Sequence, residues 1–359
     1  MLDLATSVFA MNPNGMQHLL SLLRAIGSPL ASDHPQANEK VENSYVSELY
    51  LIAEANKIPL TYLNAVSPEE IRDLPDYSYH CTRLCRLLEM AGEISELFNG
   101  DDIDYVVFKT LRPYPEDVSD IDVLNLGSHR DYEEVVDALR GRGYIFMEKG
   151  GYCTTFQDHK THFKTEAMID IYDQISIGHL IYMDKHKLSK YVVETDLPKG
   201  SKINIFAPEA ELLDTIAHSA IKENRYILEE YYATLHYLAL MDQTSIERFI
   251  DLIKENKLVI ACRWHLTITS TLHKLAYGFV PERLSGLLLR LGGSWSRAYK
   301  EIFESDYPPY ECDPVILAYI FKEKLQDNTF RRSLCNQVFK PPTKAFTTRL
   351  LTRLKDILH

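Results

Sequence analysis

The sequence contains no run of about 18 apolar residues, which is the minimum for a helix that crosses a membrane. Its first residues lack the basic start and the apolar stretch of a secretory signal peptide. No CxxC pair occurs among the six cysteines, so a zinc site built from paired cysteines is not indicated. These absences predict a protein that spans no membrane and works in the reducing cytoplasm.

A positive overall charge is also missing. The formal net charge is −12, so the field around the whole molecule repels nucleic acid. The last 39 residues differ, because they hold nine Lys and Arg against three acids. Residues 343–357 there predict an amphipathic helix with a basic face. We interpret this face as a contact for an anionic partner such as RNA; the alternative is a closing helix whose basic face meets only solvent.

The order of apolar patterns predicts an α+β protein of three parts. Residues 1–78 show helical periodicity, residues 79–206 combine a long helix with several strands, and residues 207–359 return to helical periodicity. We therefore expect a mixed sheet with flanking helices, an N-terminal helical segment and an all-helical C-terminal domain. With 359 residues, 45% of them apolar, the chain is long enough for two or three such units.

Two acidic residues alternate with apolar ones in the segment Ser119-Asp120-Ile121-Asp122-Val123. Residues i and i+2 of a strand point to the same face, so Asp120 and Asp122 would present two carboxylates roughly 6–7 Å apart at the backbone. Carboxylates this close repel each other unless a cation lies between them. Hard divalent ions such as Mg²⁺ prefer this kind of oxygen site, so the pair predicts a metal site.

A third acid lies between apolar residues in the later segment Ile169-Asp170-Ile171-Tyr172. An acid in the middle of an apolar strand costs free energy unless it is paired or bound to a metal. Beside the first two carboxylates, Asp170 would hold a second metal ion and help to activate an attacking hydroxyl. The alternative is an acid at the end of a strand that caps a turn.

A D-x-D pair alone is common on solvated strand faces, so its neighbours decide its interpretation. Here an apolar strand ends in Lys109-Thr110, a loop carries Arg112, the D-x-D strand follows, and the strand of Asp170 comes later. This order resembles the polymerase-β nucleotidyltransferase superfamily, and within it the uncharacterised bacterial and archaeal nucleotidyltransferase families. The similar stretches are Val106–Thr110, Ser119–Leu124, Ile169–Tyr172 and Leu212–His218.

The resemblance implies a function and a set of site residues. It implies transfer of a nucleoside monophosphate from an NTP, expected to be ATP, to an acceptor hydroxyl, with release of pyrophosphate. Asp120, Asp122 and Asp170 would be catalytic and would hold Mg²⁺, in a one-ion or two-ion site where Mn²⁺ can substitute. The residues expected to bind the nucleotide are Lys109, Thr110, Arg112, Ser119, Lys222 and Arg225.

One departure from the family pattern concerns the triphosphate. The superfamily has Gly-Ser where this chain has Lys109-Thr110; the glycine lets the triphosphate approach the backbone and the serine hydroxyl binds it. Thr110 keeps a hydroxyl but adds bulk, while Lys109 and Arg112 supply positive charge instead. The change motivates a second hypothesis, a catalytically weak or inactive module of the same fold that binds a nucleotide or RNA.

Other interpretations of the motifs remain. A D-x-D pair also serves haloacid-dehalogenase phosphatases and glycosyltransferases, although neither needs the later acidic strand. The acceptor can be an RNA end, a protein side chain or a small molecule. Asp158, His159 and His162 resemble a ligand cluster but fall at a predicted hairpin turn, where polar residues are expected. Asp214 and His218 lie one helical turn apart and are expected to hydrogen-bond each other.

Overall fold

The described chain begins with helices, in a region where apolar residues recur at helical spacing. The computed structural model describes residues 13–31, 46–66, 77–158, 167–305 and 307–339. Its first helices are α1 (Pro13–Ile26), α2 (Val46–Ala55), α3 (Pro59–Ala65) and α4 (Tyr77–Gly100). In α1, Leu19, Leu22 and Leu23 follow the predicted stripe and are fully buried.

The middle of the chain supplies the strands. In chain order its elements are β1 (Tyr105–Phe108), β2 (Asp120–Asn125), α5 (His129–Gly141), β3 (Ile145–Lys149), β4 (Cys153–Gln157), β5 (Met168–Tyr172), β6 (Ile175–Ile177), β7 (Leu180–Met183), α6 (Lys185–Leu188), β8 (Val192–Asp196) and β9 (Lys202–Phe206). Seven of these strands form one sheet, in the order β3-β4-β5-β2-β1-β9-β8. The pairs β2–β5 and β1–β9 are parallel and the others are antiparallel, so the sheet is mixed.

The two faces of the sheet bury different side chains of β2. Ile121 and Val123 pack with α4 and α5 in one core, whereas Leu124 belongs to a second core with helices from the C-terminal part. This division follows from the alternation of side chains along a strand. Asp120 and Asp122 share the face of Leu124, and the active-site candidates therefore point toward the C-terminal helices.

From residue 208 to residue 339, the described part of the chain is helical apart from one small strand pair. Its elements are α7 (Pro208–Ala217), a π-helical stretch (His218–Glu223), β10 (Arg225–Tyr226), α8 (Leu228–Leu240), α9 (Gln243–Glu255), α10 (Val259–Tyr277), α11 (Glu282–Arg290), α12 (Ser296–Glu304), β11 (Tyr310–Glu311), α13 (Pro314–Lys324) and α14 (Asn328–Phe339). Strands β10 and β11 pair with each other. Tyr231 and Tyr232 of α8 are fully buried, so they pack between helices.

Two polar side chains attach the N-terminal helices to the rest of the molecule. The amide oxygen of Asn56 accepts the backbone N–H of Leu228 (3.1 Å) and so satisfies a donor at the start of α8. The carboxylate of Glu116, in the loop before β2, accepts the backbone N–H groups of Leu60 (3.2 Å) and Thr61 (3.1 Å) at the start of α3. Each helix start is therefore capped by a side chain from a distant part of the sequence. The bonds of Glu116 also fix the loop beside the acidic strand.

The turn that contains Asn56 occurs a second time in the C-terminal part. Lys57 and Lys257 both adopt left-handed backbone (φ +57°), and each follows an asparagine at the end of a helix. At both turns the residue after the lysine donates its N–H five residues back, the bond of a Schellman motif. The N–H groups of Val259 and Ile260 then bind the carboxylate of Glu323, as those of α3 bind Glu116. The left-handed Lys57 is therefore a helix-termination feature.

The α+β class and the mixed sheet with flanking helices are confirmed. Strands β8 and β9, which complete one side of the sheet, had no counterpart in the sequence prediction. The C-terminal part, expected to be all helical, also contains a short strand: Arg225 and Tyr226 pair with β11, and α8 starts after them at Leu228. The basic helix predicted for 343–357 lies outside the described residues, as do His159 and His162. The divisions at residues 79 and 207 stay predictions.

No helix within the described ranges is long and apolar enough to cross a membrane.

Asn56 provides a test of the connection between the N-terminal helices and α8. Its amide also donates to the carbonyl oxygens of Ile52 (2.9 Å) and Pro308 (3.3 Å). We expect Asn56→Ala to lower the free energy of unfolding by about 1–2 kcal/mol in urea titrations, the usual cost of a lost cap. Asn256→Ala is the matched control, because Asn256 makes the local bond to Leu252 but its side-chain oxygen has no partner. Equal losses in both variants would contradict the capping role.

The buried histidine of α10 predicts a dependence of stability on pH. His265 is fully buried against Thr234 (2.8 Å), and burial lowers its pKa to about 3. Below about pH 6.5 the unfolded chain binds a proton that the folded chain does not, so this contribution to stability falls as the pH falls. We expect the stability advantage of the wild type over His265→Gln to shrink by about 1.4 kcal/mol per pH unit below 6.5. An advantage that is constant from pH 7 to pH 5 would contradict this.

Candidate active site

The pairing of β2 with β5 brings the three predicted carboxylates together. The two strands are parallel, and Asp122 lies directly opposite Asp170 in the register. Asp120 lies two residues before Asp122 on the same face. One carboxylate oxygen from each of the three residues lies within 4.8 Å of the other two. Such a spacing suits ligands that share one or two hard divalent cations.

Neighbouring hydroxyl groups orient two of these carboxylates. The Ser119 hydroxyl donates to Oδ1 of Asp120 (2.8 Å). Thr155 of β4 donates to Oδ1 of Asp170 (2.5 Å), and the Tyr172 hydroxyl donates to Oδ2 of Asp170 (3.3 Å). Oδ1 of Asp122 is buried and has no hydrogen-bond partner among the residues that the structure describes. Because a buried acceptor without a partner is costly, this oxygen indicates where a cation would bind.

The clustering of acids raises their proton affinity. Burial and then the charge of Asp122 raise the pKa of Asp120 to about 6. Burial and then Asp122 also raise the pKa of Asp170 above its usual range. A bound cation would reverse these shifts, since it favours the ionised form of each carboxyl group.

Lys109 supplies a positive charge inside this cluster. Its ammonium group lies 2.8 Å from Oδ2 of Asp122, and its side chain is buried. The ammonium also lies over the rings of Phe108 (4.7 Å to the centroid) and Tyr172 (5.4 Å). Burial by itself would lower the pKa of Lys109, but Asp122 and Asp214 raise it above its usual range. Lys109 is therefore protonated at neutral pH.

The backbone of Lys109 adopts a left-handed conformation at the end of β1. Its φ is +58°, in the left-handed region where glycine is the usual residue. Its backbone N–H donates to Oε2 of Glu211 on α7 (3.1 Å). The left-handed turn required at the end of β1 is thus present without a glycine.

Thr110 lies beside the acids but faces the backbone. Its hydroxyl accepts the N–H of Asp122 (2.9 Å) and lies 3.2 Å from the carbonyl oxygen of Phe108, to which it donates. Thr110 is buried and does not line the cleft described below. The structure thus places this predicted nucleotide-binding hydroxyl where it holds β1 and β2 together.

The predicted basic residues lie around the acids on three separate elements. Arg112, from the loop after β1, binds Glu229 of α8 (2.5 Å) and is largely buried. Lys222 lies on the π-helical stretch with its ammonium 5.7 Å from the centroid of the Tyr172 ring. Burial and then Lys109 lower the pKa of Lys222. Arg225 follows on β10 and lies 3.7 Å from Glu223.

A cleft of about 440 Å³ contains the acids and most of the predicted residues. Lys109, Arg112, Ser119, Asp120, Asp122, Asp170, Lys222 and Arg225 all line it. Its other wall comes from the N-terminal helices, where sequence analysis identified no site residue. The residues added by that wall are Glu54, Lys57, Pro59, Tyr79, His80 and Arg83. No local motif marked them, since only the packing of α2–α4 brings them to the cleft.

An ion-pair network holds part of this N-terminal wall. His80 and Arg83 of α4 lie 3.0 and 3.1 Å from Oδ2 of Asp117, which belongs to the loop before β2. Tyr50 of α2 contacts the other ring nitrogen of His80 (3.0 Å). The wall is therefore joined to the segment that leads directly into Asp120.

Asp214 lies behind the cleft and not in the expected pair with His218. It is fully buried on α7, and in the described part of the chain neither of its carboxylate oxygens has a hydrogen-bond partner. Burial raises its pKa to about 6, while Lys109, the next largest influence, favours the ionised form. His218 instead approaches Glu223 at 3.9 Å. Asp214 thus adds a negative charge near Lys109.

The chain resembles known proteins in structure and not in sequence. No protein-family model and no curated protein sequence matches the chain. One similar solved structure is the crystal structure of an antigenic nucleotidyltransferase-like protein from Paracoccidioides brasiliensis. The two chains share 13% identity at a TM-score of 0.33, over 47% of this chain and 88% of that chain. A likeness of this size carries no functional argument, so the function has to be inferred from the side chains of the site.

The left-handed conformation of Lys109 can be tested with two substitutions. Lys109→Ala and Lys109→Gly both remove the ammonium group, so they differ only in the backbone preference. We expect the glycine variant to be more stable by about 1 kcal/mol in urea unfolding, because a Cβ is disfavoured at this φ. An alanine variant as stable as the glycine variant would show that the backbone at position 109 is not left-handed.

Proposed function

We propose that this chain is a metal-dependent nucleotidyltransferase with a core of the polymerase-β type. The hydroxyl oxygen of an acceptor would bond to the α-phosphorus of an NTP. The bond from that phosphorus to the oxygen shared with the β-phosphate would break, and pyrophosphate would leave. The observation that carries this proposal is the approach of three carboxylates to within 4.8 Å, with a buried oxygen of Asp122 that no described residue hydrogen-bonds.

The acids would divide the work between metal binding and proton transfer. Asp120 and Asp122 would hold Mg²⁺, or Mn²⁺ in its place, since all their donor atoms are hard oxygens. A bound Mg²⁺ supplies positive charge that polarises the phosphate groups. Asp170 would orient the acceptor hydroxyl and accept its proton. Its position opposite Asp122 at the edge of the acidic cluster would leave Asp170 to meet the acceptor.

Basic side chains along the cleft would hold the triphosphate. Lys222 and Arg225 line one side of it, and Lys57 and Arg83 line the N-terminal wall. Ordinary attraction between these cations and phosphate oxygens would replace the missing Gly-Ser contact. Because Thr110 faces the backbone, we propose that its hydroxyl positions Asp122 and does not bind phosphate. ATP is the NTP that we propose to test first.

Charge removal at the three acids tests this function. We expect Asp120→Asn, Asp122→Asn and Asp170→Asn each to lower turnover at least about 10³-fold, since each removes several kcal/mol of charge stabilisation. The measurement is transfer of label from α-labelled ATP, in the presence of cell extract as the source of acceptor. Circular dichroism checks that each variant folds.

The matched control is Asp137→Asn, on the exposed surface of α5, where Asp137 pairs with Arg140 (3.3 Å) of the same helix. It should transfer label as the wild type does. Full activity of Asp170→Asn would refute the role of three carboxylates. The labelled product also identifies the acceptor as RNA, protein or a small molecule.

A second candidate function is a nucleotide-binding module without catalysis. The observation that favours it is the ion pair of Lys109 with Asp122, because it occupies one oxygen of a proposed metal ligand. Calorimetry with Mg²⁺-ATP separates the two candidates. Binding without any release of pyrophosphate favours the module, whereas binding with release favours the transferase. A phosphatase of the D-x-D type would instead release inorganic phosphate, which is measured in the same samples.

A further inference from the structure

Most carboxylate oxygens of the acidic cluster already have a protein partner. Of the six oxygens of Asp120, Asp122 and Asp170, four accept a hydrogen bond or an ion pair: from Ser119, Lys109, Thr155 and Tyr172. Within the described ranges, the buried Oδ1 of Asp122 has no such partner. A site for two ions needs a carboxylate that bridges both, and Asp122 is the central member of the cluster. Its second oxygen is taken by the ammonium group of Lys109.

The position of Lys109 is fixed by contacts from several elements. Glu211 holds its backbone N–H (3.1 Å), and the rings of Phe108 and Tyr172 lie under its ammonium. An ion that displaced this ammonium from Asp122 would have to break a buried ion pair. Movement of Lys109 away from Asp122 is therefore costly.

The charge of the cluster also fits one divalent ion. Three ionised carboxylates and one ammonium sum to −2, which a single divalent cation neutralises.

We infer that the site binds one divalent cation, between Asp120 and Oδ1 of Asp122, and that the Lys109 ammonium takes the place of a second ion. The inference rests on the proposed function, which makes the acids a metal site. In this arrangement Lys109 is a positioning residue for Asp122 and a fixed positive charge beside the reacting phosphates. The same arrangement gives a reason for lysine at the end of β1, where the left-handed backbone favours glycine.

Electron paramagnetic resonance of bound Mn²⁺ tests the ion count. Two Mn²⁺ ions in one active site lie about 3.5–4 Å apart and give a spin-coupled spectrum, whereas a single ion gives an isolated one. The full-length protein is loaded with excess Mn²⁺ and α,β-methylene-ATP, which cannot be cleaved at the reacting bond. Mn²⁺ on excess nucleotide does not give the coupled signal. We expect the wild type to show bound but uncoupled Mn²⁺.

Variants of Lys109 test whether its ammonium group is what prevents a second ion from binding. Lys109→Ala frees Oδ2 of Asp122 and removes a positive charge, so we expect it to show the coupled spectrum; Lys109→Arg keeps the charge and should stay uncoupled. A coupled spectrum in the wild type would overturn the inference while leaving the proposed function intact. An uncoupled spectrum in Lys109→Ala would also overturn it. If neither the wild type nor any variant bound Mn²⁺ at the acids, the proposed metal site itself would fail.

Discussion

The buried ion pair between Lys109 and Asp122 is the interaction on which the candidate site depends. Three carboxylates within 4.8 Å repel one another, and water screens that repulsion only in part, because Asp122 is buried and Asp120 and Asp170 are half-buried. The ammonium group at 2.8 Å from Asp122 offsets part of it before any metal or substrate arrives. The chain can therefore fold with its acids assembled, at the cost of a left-handed backbone at Lys109.

The rest of the molecule encloses this pair. Helix α7 holds the backbone of Lys109 through Glu211, and the loop after β1 is fixed through Arg112 and Glu229. The N-terminal helices close the cleft and are held there by Asn56 and Glu116, whose side chains satisfy helix ends that belong to other parts of the chain. The cleft is thus lined by residues from the N-terminal helices, the sheet and the C-terminal helices. Its acidic residues and Lys109 come from β1, β2 and β5 or their ends. The position of its N-terminal wall depends on hydrogen bonds at helix ends, made by Asn56 and Glu116.

Helices α1, α4 and α10 could be predicted because they are long and burial imposes one repeating pattern on them. Strands β1, β2 and β5 could be predicted because nearly all their side chains are apolar or alternate strictly with apolar ones. Strands β8 and β9 could not, because polar residues interrupt them and most side chains of β8 are exposed, so that no apolar run marks them. The N-terminal wall of the cleft was missed for another reason: Lys57 and Arg83 belong to ordinary helical segments, and nothing local distinguishes them from surface residues.

The sequence by itself determined that Asp120 and Asp122 share one face of a strand, because the alternation of side chains is a property of the extended backbone. It also determined that Asp170 belongs to an apolar strand that needs a partner for its charge. Only the tertiary structure decided that β5 lies beside β2 with Asp170 opposite Asp122, that Lys109 turns inward, and that the Thr110 hydroxyl faces the backbone. Strand order, register and side-chain direction depend on contacts between residues far apart in sequence, and no local pattern encodes those contacts.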